Sequence, residues 1–447
     1  MRKLFTTVAT LAVCIVGLAQ NNYTLEQLRD SAKVNNSALK SARYDAQAAT
    51  EQRKEAFTKF FPNISAAGVW FATNNGMAKV EIDPSKYLSP SIAQILAQIL
   101  PAEAIAALGN PISIEMMKNG LLGSVMAVQP VFAGGQIVNG NKLAKVGEEA
   151  GQLQLQLAEK EAVHGVEEYF WQLVSLEEKV KTINAVEQLL NDINKNVSTA
   201  VDAGVVLRND LLQVQLRQND IESQKLKLNN GIRLVKMLLA QLCGLPEDDF
   251  TITYALREDL PMVPREDHAA ALPQTTEYKL LGKQLEATQL QKKMEVGKYL
   301  PTLAVGAGYS YHNLLLDRDH NFGMIFATVR IPISDWWGGS HAIKRKKLAV
   351  MKAQEDLDSK SRLLRIRMQN AWNGVEESWE EYAIALKSIE QAQENLHIYK
   401  NCYDAGTSTM TDLLQAQLLY QQAMDKKTEA YSAYMMKVLE YNQAIGK

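Results

Sequence analysis

The sequence predicts a mainly helical fold with a membrane β-barrel component: two structural repeats, each with two β-strands and a long α-helical hairpin. Three observations carry that reading. The twelve prolines leave residues 131–245 and 333–447 empty, and because proline breaks helix interiors, such stretches permit very long helices. Part of the first stretch recurs in the second at a shift of 202 residues. After Pro301, side chains alternate with the period of a strand, not of a helix.

The chain opens with Arg2 and Lys3 before an apolar run from Leu4 to Gly17, and Gly17-Leu18-Ala19 puts small residues at −3 and −1. This reads as a signal peptide over 1–19. Cys14 raises the alternative of a lipidated start, but Val13 before it is a poor fit to such a signal. Thr24 and Gln27 then form a candidate capping box for the first helix.

The helices come next. Leu153, Leu155, Leu157, Val163, Val166, Tyr169, Phe170, Leu173 and Leu176 keep an apolar face amid Glu, Gln and Lys. A helix from about Asn141 to Val201 would run roughly 90 Å. Asp202-Ala203-Gly204 and Asp210-Leu211-Leu212-Gln213-Val214-Gln215-Leu216 are matched by Asp404-Ala405-Gly406 and Asp412-Leu413-Leu414-Gln415-Ala416-Gln417-Leu418. Across 202–216 nine of fifteen positions are identical to their partners, where ordinary composition gives roughly one; this reads as a duplication. Gly204 and Gly406 can each end a helix in a left-handed conformation, and Asp210 and Asp412 lie near the start of the returning one. Each stretch is therefore a helical hairpin, with tips near 202–209 and 404–411.

The strands lie between the prolines. Leu303, Val305, Ala307, Tyr309 and Tyr311 alternate with Ala304, Gly306, Gly308, Ser310 and His312, an apolar face backed by a small, polar one, as in a membrane barrel strand. Phe322–Ile331, Asn63–Asn74 and Leu121–Phe132 fit less cleanly. His312–Asn321 is expected to be a short loop, and 75–120 a longer segment holding short helices around 90–108. The organisation is then a first repeat over 20–245 (helix, strands near 63–74 and 121–132, hairpin 135–243) and a connector over 246–275. A second repeat follows over 276–447 (helix, strands near 302–312 and 322–333, hairpin 340–445). Four strands cannot close a barrel, and an open edge in lipid is costly. Chains must share one, so a homo-oligomer is expected.

Other function classes find little support. The net charge of −2 leaves no electrostatic footprint for nucleic acid. Beyond the signal peptide only Cys243 and Cys402 remain, too few for a disulfide framework. The most apolar internal stretch, Ile92–Leu108, carries Gln94, Gln98, Pro101 and Glu103 and would not insert as a lipid-facing helix. Gly135 and Gly140 before Asn141-Lys142 miss the phosphate-loop pattern, with the lysine one place late and Leu143 where Ser or Thr is needed. The histidines at 164, 268, 312, 320, 341 and 397 show no spacing with Cys or carboxylates suited to a metal. No catalytic group, cofactor or metal is expected. Lys344-Arg345-Lys346-Lys347 reads as a solvated face near a helix start. The remaining rival is a secreted coiled-coil scaffold or adhesin without a pore, which needs neither glycine–aspartate tips nor four strands.

The chain resembles the TolC-like outer-membrane efflux proteins over nearly its whole mature length. The resemblance rests on Tyr23-Thr24-Leu25-Glu26-Gln27-Leu28 with Asn35-Asn36-Ser37, and on Lys298-Tyr299-Leu300-Pro301 before a strand. It rests also on Pro130-Val131-Phe132-Ala133-Gly134-Gly135 after a strand and on the doubled Asp-Leu-Leu-Gln-x-Gln-Leu. It implies a homotrimer in the outer membrane of a Gram-negative bacterium, with twelve shared strands in outer-membrane lipid and a helical barrel in the periplasm. It also implies docking to a periplasmic adaptor and an inner-membrane pump. The implied gate lies at the hairpin tips: an Asp210–Tyr403 link, Asp412 projecting into the lumen, and Asn209 and Gln415 beside them. Ser408 stands where the family can carry a basic latch residue, and Gln415 where it can carry a second aspartate. Ser334-Asp335-Trp336-Trp337 also departs, adding two residues before Gly338-Gly339.

Overall fold

The structure is a computed structural model that describes residues 22–447 except 109, 118, 247–248, 258, 261 and 316–317. The predicted signal peptide and Cys14 lie outside the described residues. The chain divides into two compact units, one formed by Met1–Thr50, Gly147–Leu285 and Lys352–Lys447, the other by Glu51–Val146 and Glu286–Met351.

In chain order the elements are β1 (Asn22–Tyr23), α1 (Leu25–Asn35), α2 (Ser37–Thr58), β2 (Asn63–Ala72), β3 (Ala78–Ile82), α3 (Pro90–Ile99), α4 (Ala102–Leu108), β4 (Ile112–Met116) and β5 (Asn119–Ala133). The long helices α5 (Gln136–Asp202) and α6 (Arg208–Cys243) follow, then β6 (Thr251–Ile252) and α7 (His268–Ala271). The chain ends with α8 (Thr276–Lys298), β7 (Thr302–Leu315), β8 (Arg318–Arg330), α9 (Asp335–Asp404) and α10 (Met410–Ala444).

The first unit is built on helix packing. Thr24 caps α1 as the sequence suggests: its hydroxyl accepts from the Gln27 amide at 3.3 Å, while the Thr24 amide donates to Gln27 Oε1 at 2.9 Å. Asn36 then starts α2, its Oδ1 accepting from the Leu39 amide at 3.0 Å and its Nδ2 donating to the Leu242 carbonyl at 3.2 Å. That carbonyl belongs to the last turn of α6, where carbonyls lack intrahelical partners. The main core joins Leu28 on α1, Phe170 and Leu173 on α5, Leu239 on α6, Met368 and Val375 on α9 and Tyr441 on α10. An ion pair between Arg29 and the buried Glu167 borders it. The connector adds a short parallel pairing of β1 with β6 (Tyr23 opposite Ile252), and Lys236 lies over the Phe250 ring.

The second unit carries an antiparallel four-stranded sheet in the order β2-β5-β7-β8. The register places Ile64, Ala66 and Trp70 on one face with Val125 and Ala127, Leu303, Val305, Ala307 and Tyr309, and Ile325 and Val329. Ile325 is 89% exposed and Trp70 72%. The other face carries Ser65, Ser124, Gly306, Gly308, Ser310 and Thr328, but also Met324 and Phe326. Those larger groups explain why β8 alternates poorly in sequence. The Phe326 ring lies over Gly306, where an added Cβ would collide with it. Glycine on one strand makes room for the aromatic on the next.

Three expectations need correction. The loop expected over His312–Asn321 is mostly ladder: β7 runs to Leu315, β8 starts at Arg318, and His312 pairs with His320. Polar residues hid the pairing, because backbone hydrogen bonding continues where hydrophobic alternation stops. The segment 75–120 holds the helices expected near 90–108, but also an antiparallel hairpin of β3 and β4. The last long hairpin begins at Asp335, not near 340. Gly134 and Gly135 both take positive φ before α5, whereas Gly338 and Gly339 lie inside α9. Trp336 donates its indole N–H to the Tyr299 carbonyl at 2.8 Å, securing that earlier start.

Candidate functional site at the hairpin tips

The two tips lie in the helical unit and share one backbone solution. At the first, Gly204 has φ +72°, its amide donates to the Val201 carbonyl at 2.9 Å, and the Val205 amide reaches back to Ala200 at 2.9 Å. At the second, Gly406 has φ +69°, with Gly406 donating to Tyr403 at 2.9 Å and Thr407 to Cys402 at 2.8 Å. These are the paired bonds of a left-handed helix stop, and the positive φ explains the glycine at each. Every atom pair is related by the same shift of 202 residues.

The returning helices start differently. At the second tip Thr409 and Asp412 form a reciprocal capping box. The Asp412 amide donates to Thr409 Oγ1 at 3.2 Å, and Asp412 Oδ2 accepts from the Thr409 amide at 3.1 Å and from its hydroxyl at 2.6 Å. These bonds, the hydroxyl's first, hold the Asp412 carboxyl below the usual aspartate range. At the first tip the cap is Leu207, which has no side-chain acceptor, so Asp210 occupies the position of Asp412 without its partner. Its carboxylate accepts no hydrogen bond among the described residues. The duplication motif reads identically at the two aspartates; the cap one turn earlier sets them apart.

Tyr403 packs against the cluster of Ile193, Val197, Val214, Met410 and Leu413 that closes this end of the helices. Its phenol oxygen is buried and makes no hydrogen bond among the described residues. Burial raises its pKa, and the nearby carboxylates of Asp210 and Asp404 raise it further. Asp210 is thus close enough to be felt by Tyr403, but the hydrogen bond between them is not made in this conformation. Asn209 and Gln415 are exposed.

The sequence reading missed a polar ladder joining the two hairpins. Thr411 donates to Gln213 at 3.1 Å. Further along, Arg217 donates to Gln417 Oε1 at 3.0 Å and to Gln421 Oε1 at 2.6 Å, and Gln421 continues to Gln224 at 2.9 Å. Gln417 is fully buried, and burial lowers the Arg217 pKa. The doubled motif gave no hint of this, because the position of Arg217 in the second copy is Leu419.

No group of three or more His, Cys, Asp or Glu side chains placed to hold a metal occurs among the described residues. No described helix is long and apolar enough to cross a membrane.

Comparison with known proteins agrees with this architecture. Residues 282–447 match the family model described as outer membrane efflux protein. Outer membrane protein TolC of Vibrio cholerae is 26% identical over 162 residues, or 33% of this chain; the match spans only 35% of that relative's length. The Campylobacter jejuni CmeC outer membrane channel superposes with a TM-score of 0.75 at 15% identity, covering 94% of this chain and 85% of that one. VceC, an outer membrane protein of Vibrio cholerae, gives 0.74 at 14% identity, covering 94% of this chain and 96% of that one. At such identities the superpositions establish the fold alone. Residues 282–447 thus match the outer membrane efflux protein family, and nearly the whole chain has the fold of solved outer-membrane channels.

Proposed function

We propose that three copies of this chain form a non-enzymatic duct, passing substrates from a periplasmic adaptor and inner-membrane pump to the exterior. The observation that carries the reading is the sheet. It presents an apolar face, while the outer edges of β2 and β8 have no partner among the described strands. In lipid such edges must be paired, and pairing β8 of one copy with β2 of the next would give three times four strands, a closed barrel of twelve. On this reading the two repeats, 20–245 and 276–447, each supply two strands and one hairpin, with 246–275 connecting them.

The tips would form the entrance and its gate. Tyr403 and Asp210 are suited to a latch, since one bears an unsatisfied phenol and the other an uncapped carboxylate nearby. Asp412 would contribute one acid per copy to a cation-attracting ring, flanked by Asn209 and Gln415. The purified chain should run as a trimer in mild detergent and conduct ions in planar bilayers. A monodisperse monomer that conducts nothing would instead favour the poreless scaffold.

A further inference from the structure

The corrected β7–β8 hairpin brings together two histidines that the sequence spaces eight residues apart. His312 and His320 are direct cross-strand partners, with ring centroids 5.6 Å apart and planes inclined by only 29°. We propose that this pair is a bidentate site for a late first-row divalent metal, with copper(II) the tightest binder.

Several observations support it. His312 Nδ1 is buried and has no hydrogen-bond partner among the described residues, while His320 is exposed. One imidazole therefore offers an unused nitrogen, and the other keeps the site open to a metal from solution. A metal bound at about 2.0–2.1 Å from each nitrogen needs those nitrogens roughly 3 Å apart. Stacked rings with centroids at 5.6 Å reach that by rotating edge towards edge about their side-chain torsions. Phe322, on the same sheet face, stands against His312 at 6.2 Å and 69°, walling the pair on one side. Asp319, the residue before His320, is one position out of phase and accepts the Tyr311 phenol at 2.7 Å, so it sits with the opposite face.

Among the described residues the donor set is thus two imidazoles completed by water, with no thiolate and no carboxylate. Such a set suits copper, nickel and zinc and rejects magnesium and calcium, and affinity among the late metals peaks at copper(II). Bound metal would tie β7 to β8 at the end of the hairpin remote from α8 and α9. The site lies within one chain and stands whether or not the chain conducts.

The test is a copper(II) titration of the purified full-length chain in detergent, followed by electron paramagnetic resonance. One copper per chain is expected, with hyperfine structure from two equivalent nitrogens. Removing either imidazole abolishes chelation and should weaken binding on the order of 100-fold. His320→Ala and His312→Ala should both do so, while His341→Ala and His397→Ala should not. Because His312 is partly buried, His320→Gln on the exposed strand provides a second test that spares the packing. Wild-type affinity in either His312→Ala or His320→Gln, coupling to a single nitrogen, or displacement of copper by an equal concentration of magnesium would each overturn the proposal.

Discussion

Replacing Tyr403 by Phe separates a latch from an ordinary packed aromatic. In the conformation described here the phenol oxygen is buried without a partner, a situation that costs about 1–3 kcal/mol. A bond to the Asp210 carboxylate would be worth about 1.5–3 kcal/mol. Tyr403→Phe removes the cost from the unlatched state and the bond from the latched one, so both changes favour opening. Taking the bond alone, at about 1.4 kcal/mol per tenfold, each latch should shift the open–closed equilibrium about 10-fold to 100-fold. Single-channel recording reads this as open probability. Asp210→Ala should produce a similar shift, and the double variant should add little, since each change removes the same bond. Wild-type gating in Tyr403→Phe, with conductance intact, would refute the latch and leave Tyr403 as a member of the Ile193–Leu413 cluster.

Other consequences follow from the same geometry. Asp412→Ala should reduce cation preference in the open channel, measured by reversal potential in a salt gradient. Thr409→Ala should spare that preference yet loosen the second tip by about 1 kcal/mol, read as faster amide exchange over 409–413. Because the Asp412 carboxyl is held below its ordinary value of 3.8, its contribution is complete above that value. It is lost as pH falls through the depressed one, so the tip should fray in acid, and less steeply in Thr409→Ala. Cys402 should react with maleimide in the folded protein, while Cys243 should react only after unfolding. The Cys243 thiol is fully buried, donates to the Leu28 carbonyl at 3.4 Å, and is pushed up by burial to about 12. Gly134→Ala should destabilise the sheet unit by at least about 2 kcal/mol. Its φ is +59° and an added Cβ would collide with the Gly297 carbonyl, whereas Gly123→Ala meets nothing within 4 Å. Heat-modifiable gel migration distinguishes the two variants.

Local rules of the chain were enough to reveal much of this protein. Proline exclusion marked the stretches that became α5–α6 and α9–α10, because a missing amide and a steric clash act within one turn. Gly204 and Gly406 marked the tips because only a left-handed residue completes that stop, and Thr24 with Gln27 announced a cap three residues across. Alternation exposed β7, since a strand with one apolar face and one small, polar face repeats every two residues. Tertiary structure alone decided whatever depends on partners distant in sequence. The capping of Asp412 but not Asp210 is by contrast a local matter, because Leu207 stands where Thr409 does, three residues before the aspartate. The Arg217–Gln417–Gln421 ladder spans some 200 residues and breaks the repeat, so no local pattern announces it. His312 meets His320 only because the β7–β8 register continues past the apolar alternation. Backbone hydrogen bonding, blind to side-chain polarity, sets that register, and neither spacing nor hydropathy records it.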